Sequence, residues 1–264
     1  INKDLEPRSG SKGKSGALEV SMAQPNVIPL MSHLSEDHLI EMQQAAAMVS
    51  ETMRVLQKSG SNVVAEVLRT APEFIEWEHM PPEDAYDHES HSQFYYHAHA
   101  KSEDGTGHHD DEHGHFHLFL RGPGMPQAYT PAPLPDVNVP TNRHDINTHL
   151  IGIGMNEMGV PTKLFTVNRW VTAETWFSAD DIIALLPSFE MDTTVPSWPL
   201  NLWLTNMVTL FRPHIEQLIR QRDASIAKWQ EKHPAENSYE DRRLEVTSSI
   251  DIDLAAYVEQ IIGE

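Results

Sequence analysis

The spacing of hydrophobic positions changes several times along the chain, and each change marks an element. From Ser35, followed by Glu36 and Asp37, the apolar residues Leu39, Ile40, Met42, Ala46, Met53 and Leu56 recur at helical spacing as far as Ser59 and Gly60. This predicts a first helix with a serine cap and a glycine stop. Ser61 is then expected to cap a shorter helical segment, NVVAEVLRTA, ended by Pro72, because the residue before a proline is driven out of the helical region. The stretch PPEDAYDHESH is polar and broken by prolines, and reads as a loop.

Beyond it the period drops to two. SQFYYHAHA and GHFHLFLRG both alternate, which predicts a pair of strands. The proline-rich segment from Gly122 to Asp145 suits neither a helix nor a central strand and reads as an extended surface crossover. NTHLIGIGMNE and VPTKLFTVNRW, joined at Met158 and Gly159, predict a hairpin, so the sheet has at least four strands.

The helical period then returns. Ser178 caps ADDIIALL, with Asp180 and Asp181 where the helix dipole favours negative charge. A longer pattern runs from Leu200 to Lys232, with a kink expected at Pro213. RRLEVTSSIDI predicts an edge strand and LAAYVEQIIG a closing helix. The expected fold class is α+β: an antiparallel sheet, able to close into a barrel, with N- and C-terminal helices packed on it. Residues 1–21 lack a periodic apolar face and are expected to be a disordered tail or cloning remnant, with Met22 a candidate start. Residues 22–264 form the single domain.

The strand pattern places chemistry on one face. Residues two apart on a strand point the same way, so Tyr95, His97 and His99 share a side opposite Phe94, Tyr96 and Ala98. His113, His115, His117 and Phe119 likewise oppose Phe116, Leu118 and Leu120. If the apolar faces coincide, His97, His99, His115 and His117 converge, since cross-strand neighbours sit about 4.5–5.5 Å apart at Cβ. Such a set suits a divalent transition metal, with Fe, Zn or Cu the leading candidates. His149, which leads a face with Ile151, Ile153 and Met155, is a further candidate ligand. Glu174 is a candidate fourth ligand or proton carrier, and Arg169 could hold a substrate carboxylate. Tyr95 and Trp170 are candidate pocket aromatics.

Other histidines have simpler readings. His108 and His109 lie in the acidic stretch EDGTGHHDDEHG, which reads as a solvated loop. His38, His144, His214 and His233 are isolated and read as structural or surface residues, and Trp170, Trp176, Trp198 and Trp203 read as core before ligand platform.

Composition narrows the partners. The chain has 19 basic and 39 acidic side chains, a formal net charge of −20 and 16 histidines. It should repel nucleic-acid phosphates and anionic membranes and favour cations. The absence of cysteine excludes disulfides and thiolate ligands. No apolar run is long enough to cross a membrane and the N-terminal region lacks the apolar core of a secretory signal, so a cytoplasmic location is expected. Oligomeric state leaves no mark in the sequence.

His97-x-His99 followed by Glu103 is similar to the first metal-binding motif of the cupins. That resemblance implies a double-stranded β-barrel, Glu103 as a ligand, and activity such as that of non-haem metal dioxygenases and isomerases. It covers a short part of the chain, and His91 and Asp110 stand where the motif has glycines. HGHFHLF together with LFTVNRWVTAETW also resembles an uncharacterised bacterial domain family of unknown function, over most of residues 35–262.

Three functions fit these features. The first is a non-haem metal enzyme, an oxidoreductase or hydrolase acting on a small organic molecule. The second is a Zn or Cu buffer or delivery protein using the acidic, histidine-rich loop. The third is an interaction module whose acidic face docks on a basic partner.

Overall fold

A computed structural model of the chain describes residues 34–71, 73–99 and 112–263. The expected tail, Glu103 and the His108–His109 loop lie outside the described residues.

Helix α1 (Glu36–Lys58) starts where Ser35 accepts a hydrogen bond from the His38 amide, and it buries Met42, Ala45, Ala46, Val49 and Leu56. The cap of α2 (Val63–Leu68) is Asn62, not Ser61: the Asn62 side chain accepts from the Ala65 amide, while the Ser61 hydroxyl donates to Glu66. The segment read as a proline-broken loop contains β1 (Met80–Tyr86). It is an edge strand, where prolines remove no ladder hydrogen bond. Strands β2 (Ser92–His97), β3 (Gly114–Arg121), β4 (Asn147–Met155) and β5 (Pro161–Val167) follow the alternating segments, and β6 (Val246–Asp251) is the far edge.

The six strands form one antiparallel sheet in sequential order, β1 to β6. It is open. With β1 and β6 at opposite edges, the barrel that the alternation allowed does not form. One face is covered by helices at both ends of the chain, in line with the expected α+β class. Phe94, Tyr96, Phe116, Leu118, Ile151, Ile153 and Leu164 share a buried cluster with Trp203, Leu204 and Met207 of α5 (Trp198–Leu210) and with residues of α1. Each such large side chain contributes about 1.5–3 kcal/mol when withdrawn from water. The long helical pattern breaks at Phe211, two residues before Pro213 in the first turn of α6 (Arg212–Lys232), so the expected kink is a full interruption. Three further α-helices lie among the described residues: α3 (Arg169–Thr172), α4 (Ala179–Leu185) capped by Ser178, and α7 (Leu254–Gly263). No described helix is long and apolar enough to cross a membrane.

Candidate metal centre

The face of the sheet opposite the helices carries the histidines. β2 and β3 pair with Tyr95 opposite His117 and His97 opposite His115, which puts the histidines on one face as the alternation predicts. Imidazole nitrogens therefore meet across the strands: Nε2 of His97 lies 2.8 Å from Nε2 of His115. His99 completes the group, and a ligand nitrogen from each of His97, His99 and His115 falls within 4.8 Å of the others.

The donor set fits a metal ion. Imidazoles bound to one ion at about 2.1 Å, at angles between square and tetrahedral, have ligand nitrogens about 3.0–3.4 Å apart and ring centres about 4.6–5.3 Å apart. The observed centres are 4.7 Å (His97 to His99), 4.7 Å (His97 to His115) and 5.0 Å (His99 to His115). Small movements would bring the closest nitrogens to coordination distance. With three protein ligands, an ion would retain positions for water or another molecule.

Glu112, buried two residues before β3, lies 3.1 Å from Nδ1 of His115 through Oε2, while its Oε1 is 3.5 Å from Nζ of Lys163. A carboxylate on one ring nitrogen fixes the tautomer and leaves the other nitrogen for the metal. Glu112 escaped the sequence reading because it sits within an acidic run. Glycine makes room for it. A Cβ on Gly154 would lie 2.7 Å from the Glu112 carboxyl carbon, and one on Gly152 would lie 2.6 Å from Cε2 of Phe165 and closer still to its Cζ.

His117 and His149 form a second imidazole pair beside the triad, Nδ1 of His117 lying 2.9 Å from Nε2 of His149. Ring centres of His117 lie 4.9 Å from His115 and 5.3 Å from His97. The face expected for His149 needs correction. A register shift between Leu118 and Phe119 sets Ile151 opposite Leu118 but His149 opposite Phe119. One extra residue reverses the side on which a strand residue emerges, so His149 joins the histidine face while Ile151 and Ile153 stay in the apolar cluster. Burial, reinforced by the positive charge of Arg222, lowers the pKa of His149 to about 3 and holds its ring neutral. His113 also departs from expectation. It precedes β3, and its Nδ1 lies 2.6 Å from the Tyr96 hydroxyl.

The three remaining candidates occupy different surroundings. Glu174 is buried behind His149. Its Oε2 accepts from the His149 amide at 2.8 Å and from the Thr148 hydroxyl at 3.1 Å, and burial raises its pKa to about 7. Tyr95 lies among the rings of His97, His117 and Phe119, and burial pushes its phenol well above the usual tyrosine range. Arg169 pairs with Glu240, and its charge also acts on Glu174. A buried cation of this region is Arg222, stacked 3.9 Å from the Trp176 ring and donating to the Phe177 carbonyl. His79 and Trp77, which carried no periodic signal, also reach the site. His79 stacks on Tyr95 at 3.6 Å, and Trp77 meets His99 edge-on at 4.2 Å.

These features define the molecule as an α+β protein with a histidine-lined face on an open antiparallel sheet. The chain belongs to the family described as domain of unknown function DUF6969, whose model matches residues 43–252, within the span over which the sequence resembled a family of that kind. No curated protein and no solved structure matches the chain.

Proposed function

We propose that this chain is a histidine-ligated metalloprotein binding one divalent first-row transition ion, Fe, Zn or Cu, through His97, His99 and His115. A small organic molecule would be turned over at the open side of that ion. The observation that carries the reading is the clustering of three imidazole nitrogens within 4.8 Å, with a buried carboxylate behind His115. In this reading His117 and His149 extend the ligand face. Glu174, with its pKa near neutrality, acts as a proton carrier behind His149, and Arg169 tempers the charge on Glu174. Tyr95 supports the rings around it. An ion of this kind supplies Lewis-acid or redox chemistry, so a metal-dependent oxidoreductase or hydrolase is the class of activity.

The test is metal analysis of protein purified without an affinity tag, followed by titration with cobalt(II). One tight ion per chain is expected. His97→Ala, His99→Ala and His115→Ala should each remove it, and His214→Ala should not. Many weakly held ions with no tight one would instead support a buffering role, and no uptake at micromolar metal would overturn the metal reading.

A further inference from the structure

One imidazole at this site is buttressed by a chain of hydrogen bonds that the ligand triad does not require. Nδ1 of His79 lies 2.8 Å from Oδ1 of Asp84, whose Oδ2 accepts from Nε2 of Gln93 at 2.6 Å; Oε1 of Gln93 in turn accepts from Nη1 of Arg121 at 3.0 Å. The polarity of this chain is fixed at its far end. A guanidinium can only donate, so Gln93 must present its oxygen to Arg121 and its NH2 to Asp84, and an ionised carboxylate can only accept. The proton of a neutral His79 therefore rests on Nδ1. Nε2 is left with a lone pair and has no hydrogen-bond partner among the described residues.

The backbone is shaped to build this arrangement. β1 is irregular between Met80 and Ala85, which pair with Tyr96 and Phe94, so the intervening residues bulge from the ladder. Asp84 within that bulge has φ +56°. Bulges redirect side chains beside functional sites, and here the result is an Asp84 carboxylate turned back on His79. The His79 ring lies flat on Tyr95, 3.6 Å away with an 8° interplanar angle, and its centre is 5.8 Å from that of His97. Its ring is farther from that of His97 than the triad rings are from one another, and lies beside the triad. Its side chain is 40% exposed, so an incoming molecule can reach it.

We propose that His79 is a ligand-orienting residue, accepting a hydrogen bond at Nε2 from an O–H or N–H group next to the metal-binding atom of the bound molecule. Asp84 is its positioning residue. The ligand class is a small molecule with such a donor, as in hydroxamic acids, amides or hydroxy compounds. This rests on the metal reading above.

The test uses the cobalt(II)-loaded full chain and two probes read by the visible spectrum of the metal: acetohydroxamic acid, which carries a donor beside its metal-binding oxygen, and azide, which carries none. His79→Ala should leave cobalt affinity unchanged and weaken acetohydroxamic acid about tenfold, as expected for loss of one hydrogen bond, with azide within about twofold. His79→Gln, which keeps an acceptor, should recover part of the loss. Asp84→Asn should behave like His79→Ala. With the Asn oxygen facing Gln93, its NH2 faces Nδ1 and moves the imidazole proton to Nε2. Equal effects on both probes, no effect on either, or unaltered acetohydroxamic acid binding in Asp84→Asn would overturn the proposal while leaving the metal site standing. Failure of the wild-type chain to take up cobalt would overturn the metal reading and this proposal together. If His79→Ala does not fold, the two conservative variants decide.

Discussion

Glu112 holds Nδ1 of His115 at 3.1 Å from the space that a side chain at position 154 would fill. A carboxylate in this position makes the opposite nitrogen the ligand atom and increases its basicity. Glu112→Gln should therefore lower metal affinity about 10–100-fold while the protein remains folded. Competition against a chromophoric chelator measures the change. Unaltered affinity would remove Glu112 from the centre.

Gly154→Ala attacks the same relationship from the strand. The new methyl meets the Glu112 carboxylate on a sheet that is paired on both sides of β4, so Glu112 must shift or the strand must move. Overpacking of this kind costs about 1–3 kcal/mol. The expected outcome is reduced stability in urea together with weakened metal binding. Gly152→Ala presses instead on the Phe165 ring, which packs 5.1 Å from the ring of His115. It should lower stability similarly, and normal stability in both variants would show that the face is loosely packed.

His214 provides a control outside the centre. Packed between Phe211 and Tyr257, it has its pKa lowered by burial to about 4. The unfolded chain binds the His214 proton below about 6.5, whereas the folded chain resists it until about 4, so stability from this residue is complete above about pH 6.5 and is lost as pH falls toward 4. His214→Phe keeps an aromatic ring and removes the titration. Its stability relative to wild type should rise by about 3 kcal/mol between pH 7 and pH 4 in urea unfolding experiments. A pH-independent difference would contradict the shift.

The alternation of SQFYYHAHA and GHFHLFLRG carried the convergence of the strand histidines on one face, because a slip by one residue would take Phe94, Tyr96, Phe116 and Leu118 out of the buried cluster. The direct opposition of His97 and His115 is set by the strand register and was not legible. The helix caps at Ser35 and Ser178 were legible for a similarly local reason. What escaped depends on departures from regular period. The shift after Leu118 moves His149 to the histidine face, and the bulge in β1 turns Asp84 toward His79, but neither irregularity has a residue signature in the sequence. The prolines of β1 concealed an edge strand because their lack of an N–H matters only where a partner strand waits. Arg169 and Glu174 are close in sequence, yet the short helix α3 ends at Ala173 in a left-handed conformation, and the two side chains meet different partners: Glu240 for the arginine, the His149 amide for the glutamate.

Glu174 offers a test of opposite sign to His214. Its carboxyl is buried behind His149, and the cost of withdrawing a negative charge from water raises its pKa to about 7 despite Arg222, Arg169 and the hydrogen bonds from Thr148 and His149. The unfolded chain releases this proton near pH 4.5, while the folded chain retains it to about 7. Between those values the folded state binds more protons, so raising the pH destabilises the fold relative to a variant with no charge to bury. Glu174→Gln keeps an acceptor for the His149 amide and the Thr148 hydroxyl. In metal-free protein its stability relative to wild type should increase as pH rises from about 4.5 to about 7, by about 3 kcal/mol, and remain constant above that. Urea unfolding of both proteins at pH 5 and pH 8 measures the difference. An equal gap at the two pH values would mean that Glu174 is ionised throughout, held by the nearby arginines, and could not carry a proton for chemistry near neutral pH.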